Sequence, residues 1–211
     1  MHSCVELVPI FNHLNHQQMD EILDMSIHRK FKKNEVLFMP GDKADTLYIV
    51  ASGEIHLSTI NENGRELLIQ ILKPGDFIGE LALMSVTDHE LLATAKKDSE
   101  MCTIKFDDFQ NLLIKYPAVS IHLLQELSER LTKRNQQSMI NSTLSVQERV
   151  AKYLMEHDGQ LLMSKKDLAS YLSTTPESIS RILTQFEDEG YIEKVSSKKM
   201  KILQDLSWIS E

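Results

Sequence analysis

The stretch SKKDLASYLSTTPESISRILTQFEDEGYI, residues 164–192, reads as two short helices joined by a tight turn. Ser164 can cap the first, with Asp167 three residues on at capping-box spacing. Leu168, Ala169 and Leu172 give that helix its apolar stripe. Ser173 and Thr174 supply the turn, and Thr175 caps a second helix that starts at Pro176, a favoured first position for proline. Along it Ile179, Ile182, Leu183 and Phe186 fall at i, i+3, i+4, i+7 and face one way. Glu177, Ser180, Arg181 and Thr184 repeat that spacing on the other side, and Gly190 closes the helix.

Branched apolar residues backed by short polar groups and one arginine suit a helix that rests on a scaffold and presents donors and acceptors to base edges in a major groove. Arginine can grip guanine O6 and N7 together, and glutamate can accept from a base amino group. An ordinary amphipathic pair in a small bundle has the same spacing, so the next segment matters. EKVSSKKMKIL (193–203) reads as two strands around a polar turn carrying Lys194, Lys198, Lys199 and Lys201. A basic hairpin beside such a helix is a wing, and its lysines suit phosphates. The candidate base readers are Glu177, Ser178, Ser180 and Arg181; the candidate phosphate contacts are Thr175, Thr184, Lys198 and Lys199.

A chain of 211 residues suits two domains better than one, and 42% hydrophobic with 26% charged residues describes a globular protein. No apolar run reaches membrane-spanning length and no signal peptide is legible, so the expected compartment is the cytoplasm, with no membrane partner. The two cysteines, Cys4 and Cys102, are too few for a secreted disulfide framework. A net charge of −8 argues against general stickiness toward nucleic acid. Divided at Ser145, the chain has 14 basic and 20 acidic residues before it and 9 and 11 from it onward, so a DNA footprint must be local.

In chain order, residues 1–30 read as a loose arm and a short helix over Gln17–Met25. From about 31 to 106 the rhythm is of short strands broken by glycine: EVLFM, PGD (40–42), LYIVASGEIHLSTI, a turn at Asn61–Gly64, ELLIQIL, a second PGD (74–76) and MCTIKF. Alternating apolar positions between closely spaced turns predict an antiparallel roll or barrel. DFQNLLIKYP then reads as a short helix stopped by Pro117, followed by a long one from about Ala118 to Asn141. Ile121, Leu124, Leu127 and Leu131 run along it as a narrow seam suited to a dimer interface, interrupted by the polar TKRNQQS (132–138). Residues 146–157 form a further amphipathic helix.

Taken together, PGD…LYIVASGEIHL…NGRELLIQILKPGDFIGELALM, the long helix, ERVAKYL and TPESISRIL resemble the CRP/FNR family of bacterial transcription regulators, over nearly the whole chain and in the family's order. The resemblance implies an α+β fold: an N-terminal antiparallel β-roll of cyclic-nucleotide-binding type (1–115), a dimerisation helix and hinge (116–144) and a C-terminal winged helix-turn-helix (145–211). It also implies a cytoplasmic homodimer on palindromic double-stranded DNA, with RNA polymerase as a partner if the protein activates. Glu177, Ser180 and Arg181 match the E-x-x-S-R readers of the FNR branch. The cyclic-AMP receptor has an extra Arg one residue before the Glu, where this chain has Pro176.

Two departures qualify the resemblance. Members that bind cyclic nucleotide follow GEL with an Arg and a Ser, Thr or Ala that hold the phosphate; here GELALM (79–84) leads into SVTDHELLATA, with His89 and Glu90 at that point. A carboxylate repels phosphate and a neutral imidazole is a poor substitute for a guanidinium, so no cyclic nucleotide is expected. Arg65, nearby in sequence, reads as a surface turn residue. An iron–sulfur cluster of the FNR type needs four thiolates, and one cysteine in each of the two places cannot build it.

The pair instead looks like that of FNR-like proteins of Gram-positive bacteria, where two such cysteines act as a dithiol–disulfide pair. Oxidation of Cys4 and Cys102 would then change DNA affinity. Other readings stay open. Cys102 shares a strand face with Ile104 and Phe106, a normal core position, and Cys4 has Glu6 rather than a cation nearby. Two unrelated thiols, or a metal site using His2, Cys4, His13 or His16, fit the same residues, although the histidines follow no known ligand spacing. The expected cofactor and metal complement is none, and a small ligand in the roll or a constitutive regulator are the alternatives. An enzyme is disfavoured: His56 in GEIHLS stands alone, and no phosphate loop, nucleophile elbow or zinc-protease motif is present. A ligand-binding regulatory subunit without DNA contacts would leave the wing lysines and the Arg181 face unexplained.

Overall fold

The structure is a computed structural model that describes residues 4–60, 66–80 and 88–206. The turn expected at Asn61–Gly64, Arg65, His2 and most of the run after Glu80 lie outside the described residues. The chain forms two units, 1–130 and 131–211.

The first unit is a roll of two four-stranded antiparallel sheets. One carries β1 (Ile27–Phe31), β8 (Ser99–Lys105), β3 (Thr46–Ser52) and β6 (Phe77–Ile78), in that order. The other carries β2 (Val36–Phe38), β7 (Leu92–Ala95), β4 (Ile55–Ile60) and β5 (Glu66–Leu72). Phe38, Val50, Ile55, Leu57, Leu72, Ala93 and Met101 fill the space between the sheets. The two Pro-Gly-Asp turns share one geometry: the Asp42 carboxylate accepts from Met39 N–H at 2.9 Å, and Asp76 from Lys73 N–H at 2.7 Å. Gly79 is required by packing, because its φ is +103° and a Cβ there would sit 2.2 Å from the Thr46 carbonyl oxygen.

The outer face of the β1–β8–β3–β6 sheet has its own core. Ile49, Phe77, Cys102 and Ile104 meet Ile22 of α1 (His16–Met25), Phe109 and Leu112 of α2 (Phe106–Lys115), and Val119 and Leu123 of α3 (Pro117–Thr143). Asn15 starts α1 with a full capping box against Gln18. The N-terminal arm is not loose as expected: Cys4, Val5, Val8, Ile10, Phe11 and Leu14 are all buried in this core, turned inward through a 3-10 turn at Pro9–Phe11. Pro117 is also read differently by the fold. Tyr116 breaks the chain direction at φ −124°, ψ 77°, and the proline opens α3 rather than merely ending α2. Arg130 fastens α3 to the roll, its guanidinium 4.0 Å from the Phe77 ring centre and donating to the Phe77 carbonyl at 3.0 Å.

The second unit packs α4 (Val146–Glu156), α5 (Lys165–Tyr171) and α6 (Pro176–Asp188) with a hairpin of β9 (Ile192–Ser196) and β10 (Lys199–Ile202). Its core joins Val150 and Leu154, Leu168 and Leu172, Ile179, Leu183 and Phe186, and Ile192 and Met200. No helix among the described residues is long and apolar enough to cross a membrane.

Candidate functional site

Each element of the helix-turn-helix is set by short-range chemistry. Ser164 caps α5, accepting from Asp167 N–H at 3.1 Å and donating to the Asp167 carboxylate at 2.6 Å. The turn passes through Ser173 at φ +52°, and Thr174 N–H closes it on the Ala169 carbonyl at 2.8 Å. A buried arginine holds this turn from behind: Arg149, 8% exposed, donates to the Leu172 carbonyl and takes up the exposed end of α5. Thr175 then caps α6, accepting from Ser178 N–H at 3.2 Å and donating to Ser178 Oγ at 3.1 Å. Both hydroxyls of this expected contact pair are thus engaged with each other.

With Ile179, Ile182, Leu183 and Phe186 all buried, α6 has one orientation in the unit, and its outward side is polar. Glu177, Arg181 and Thr184 are exposed on that side, and Ser178 and Ser180 are half-buried. Lys165 reaches across from α5 and donates to Ser180 Oγ at 3.2 Å. It is a cation on the outward side that the sequence reading passed over, and its only signal was its place at the start of α5. In the hairpin Lys198 sits at the turn, with Lys194, Lys199 and Lys201 exposed along the strands. Pairing of Leu161 N–H with the Lys198 carbonyl at 2.8 Å and burial of Met200 hold the hairpin to the unit. On α3, Ile121, Leu124 and Leu131 are 59%, 59% and 60% exposed, whereas Leu127 turns partly inward onto the roll's core.

The two cysteines, 98 residues apart, are joined. Cys4 and Cys102 form a disulfide with Cα atoms 6.3 Å apart, both essentially sealed from solvent. His28 stands directly opposite Cys102 in the β1–β8 register and brings Nδ1 within 3.6 Å of Cys102 Sγ. His13 takes no part, stacking instead on His122 at 4.2 Å. His56 is buried and hydrogen-bonded to the Glu54 carboxylate at 2.8 Å, and Lys97 pairs with the same carboxylate at 2.7 Å.

A cyclic nucleotide-binding domain model matches residues 28–116 and a Crp-like helix-turn-helix domain model matches 148–206. The probable transcriptional regulator flp of Lacticaseibacillus casei is 32% identical over 98% of this chain and 99% of its own length. The chain belongs to the CRP/FNR family of transcription regulators. It is a regulator with a helix-turn-helix DNA-binding domain, not an enzyme. The anaerobic regulatory protein of Haemophilus influenzae is 31% identical over 94% of this chain and 81% of its own. The c-di-GMP-responsive global regulator CLP of Xanthomonas campestris shares the fold, with a TM-score of 0.77 at 23% identity over 90% of this chain and all of that one.

At position 89 the roll of this CRP/FNR chain carries an imidazole rather than a guanidinium. His89 lies flat on Phe38, ring centres 3.6 Å apart, where burial pushes its pKa below the ordinary 6.5. The carboxylates of Asp42, Asp45 and Asp88 oppose that shift only in part. At neutral pH the ring at position 89 therefore offers a phosphate no positive charge, and the carboxylates acting on it would repel one. Because the folded chain prefers neutral His89, the stability this preference contributes is complete above pH 6.5 and is lost as pH falls through the depressed value. In a proton NMR titration the His89 ring is expected to titrate with a midpoint below 6.5, and a midpoint above it would contradict the burial argument.

Proposed function

We propose that the protein is a cytoplasmic homodimer that reads a palindromic site, with residues 1–115 as sensor, 116–144 as dimerisation helix and hinge and 145–211 as the DNA-binding part. The reading rests on one observation: α6 is clamped by four buried apolar residues while Glu177 and Arg181 stand exposed on its far side. Glu177, Ser178, Ser180 and Arg181 read bases, and Thr175, Thr184, Lys198 and Lys199 meet phosphates. Ile121, Leu124 and Leu131 supply the dimer seam, with Leu127 bracing it from the roll side. If the regulator activates, RNA polymerase is the further partner.

Neither a cyclic nucleotide nor an iron–sulfur cluster is a cofactor in this reading, since position 89 holds an imidazole kept neutral by burial in place of a guanidinium and the cluster lacks two thiolates. The Cys4–Cys102 pair, joined in the folded chain, is the switch: its oxidation changes DNA affinity. A second reading, an unidentified small ligand in the roll, is favoured by two buried polar atoms with no hydrogen-bond partner among the described residues, Glu80 Oε2 and His89 Nε2.

Paired substitutions test the docking. Arg181→Ala is expected to cost about 1–3 kcal/mol of binding and to relax preference at one base pair of each half-site. Lys198→Ala should weaken all sequences alike and reduce the slope of affinity against salt by about one unit. Fluorescence anisotropy on cognate and scrambled duplexes separates the two. Unchanged sequence preference in Arg181→Ala would refute the proposed orientation of α6.

A further inference from the structure

We propose that Cys4, Cys102 and His28 form a binding site for a single Zn2+ ion when the two cysteines are reduced. The three side chains come from different parts of the first unit: the N-terminal arm, the buried strand β8 and the edge strand β1. Their ligand atoms all lie within 4.8 Å of one another. Two thiolates and an imidazole make a set that suits zinc.

The spacing also suits it. With Zn–S near about 2.3 Å and Zn–N near about 2.05 Å, a tetrahedral ion holds sulfur and nitrogen roughly 3.6 Å apart. Cys102 Sγ and His28 Nδ1 are 3.6 Å apart before any metal is present. Separation of the two sulfurs from bonded contact to about 3.8 Å, the tetrahedral edge between two thiolates, completes the triangle. The sulfurs are sealed from solvent, while His28 is exposed, which leaves a route for the ion and a fourth coordination position facing water.

The sequence offered Cys4 with His2, His13 or His16, and only Cys4 recurs here. His28 becomes visible as a ligand because β1 and β8 place it opposite Cys102 across 74 residues of sequence.

The metal site and the disulfide exclude each other, since both use the same sulfur electrons. Hydrogen peroxide, a two-electron oxidant, would convert one to the other. Two zinc-bound thiolates give up two electrons to form the S–S bond, peroxide takes those electrons with two protons to give two waters, and Zn2+ leaves unchanged. The same cysteines serve the redox reading above, but metal binding is measured without DNA, so either can fail while the other stands.

Cobalt(II) is the probe. Added to the reduced, metal-free full chain, it should bind at one ion per chain with tetrahedral d–d bands and thiolate-to-cobalt charge transfer, and Zn2+ should displace it. His28→Ala, at an exposed position, leaves the fold intact by circular dichroism. It should weaken binding by on the order of tenfold or more, because loss of even an outer-shell partner costs about 10–100-fold. Cys4→Ser should abolish the charge-transfer band. Peroxide added to the zinc form should release one Zn2+ for each disulfide formed. The site is refuted if wild type binds no cobalt while a thiol reagent finds both cysteines free, or if His28→Ala and Cys4→Ser bind as tightly as wild type.

Discussion

Phe186→Ala is expected to destabilise the C-terminal unit by about 3–5 kcal/mol, the usual cost of emptying a buried phenylalanine site. Phe186 is fully buried at the last inward position of α6, where Tyr191 packs edge-on against its ring at 6.3 Å between centres. The same ring supports the Gly190 exit from the helix, where Tyr191 N–H returns to the Phe186 carbonyl at 2.9 Å. Loss of the ring therefore leaves a cavity under the helix that carries Arg181 and loosens its end. Small domains hold only about 5–15 kcal/mol in total, so the substitution removes a large share. Hydrogen exchange resolved by peptide should show lost protection across 146–192 with the roll unchanged. A loss below about 1 kcal/mol would mean that the core around α6 is not packed as described.

Cys4→Ser should lower the stability of the first unit by about 3–5 kcal/mol under oxidising conditions and by far less under reducing ones. The disulfide closes a loop of 98 residues, and a cross-link of that span is worth about 4–5 kcal/mol where it restricts the unfolded chain. The comparison isolates the bond, because the cost of placing a hydroxyl in the buried Cys4 site is common to both conditions. Urea unfolding of wild type and variant, each with and without dithiothreitol, measures it. Equal midpoints for the two oxidised proteins would show that the bond does not constrain the chain in solution.

Residues 164–192 were legible because every signal in them is local: caps, a turn and a 3.6-residue stripe agree over 29 positions. The strands and the two Pro-Gly-Asp turns were legible for the same reason. The N-terminal arm was not. Cys4, Val5, Val8, Ile10 and Phe11 are buried one by one against partners supplied by distant strands and helices, and their spacing follows neither the helical nor the strand period. Arg149 was equally hidden, since a charged residue on an amphipathic helix ordinarily faces water, and it is the nearby end of α5 that brings the Leu172 and Ser173 carbonyls to it. Leu127 belonged to the expected seam by spacing alone. At about 100° per residue it lies roughly 60° around the helix from Leu124, on the side that packs on the roll. His28 depends on cross-strand register, which no window of sequence contains.

Selection from a library of random palindromes at fixed salt, with reduced and with oxidised protein, tests the DNA-binding reading most directly. Enrichment of one palindrome with half-sites about one helical turn apart, with affinity that differs between the two states and ceases to differ in Cys4→Ser, is the expected outcome. Failure to enrich any sequence in either state would contradict the assignment of Glu177, Ser178, Ser180 and Arg181 as base readers.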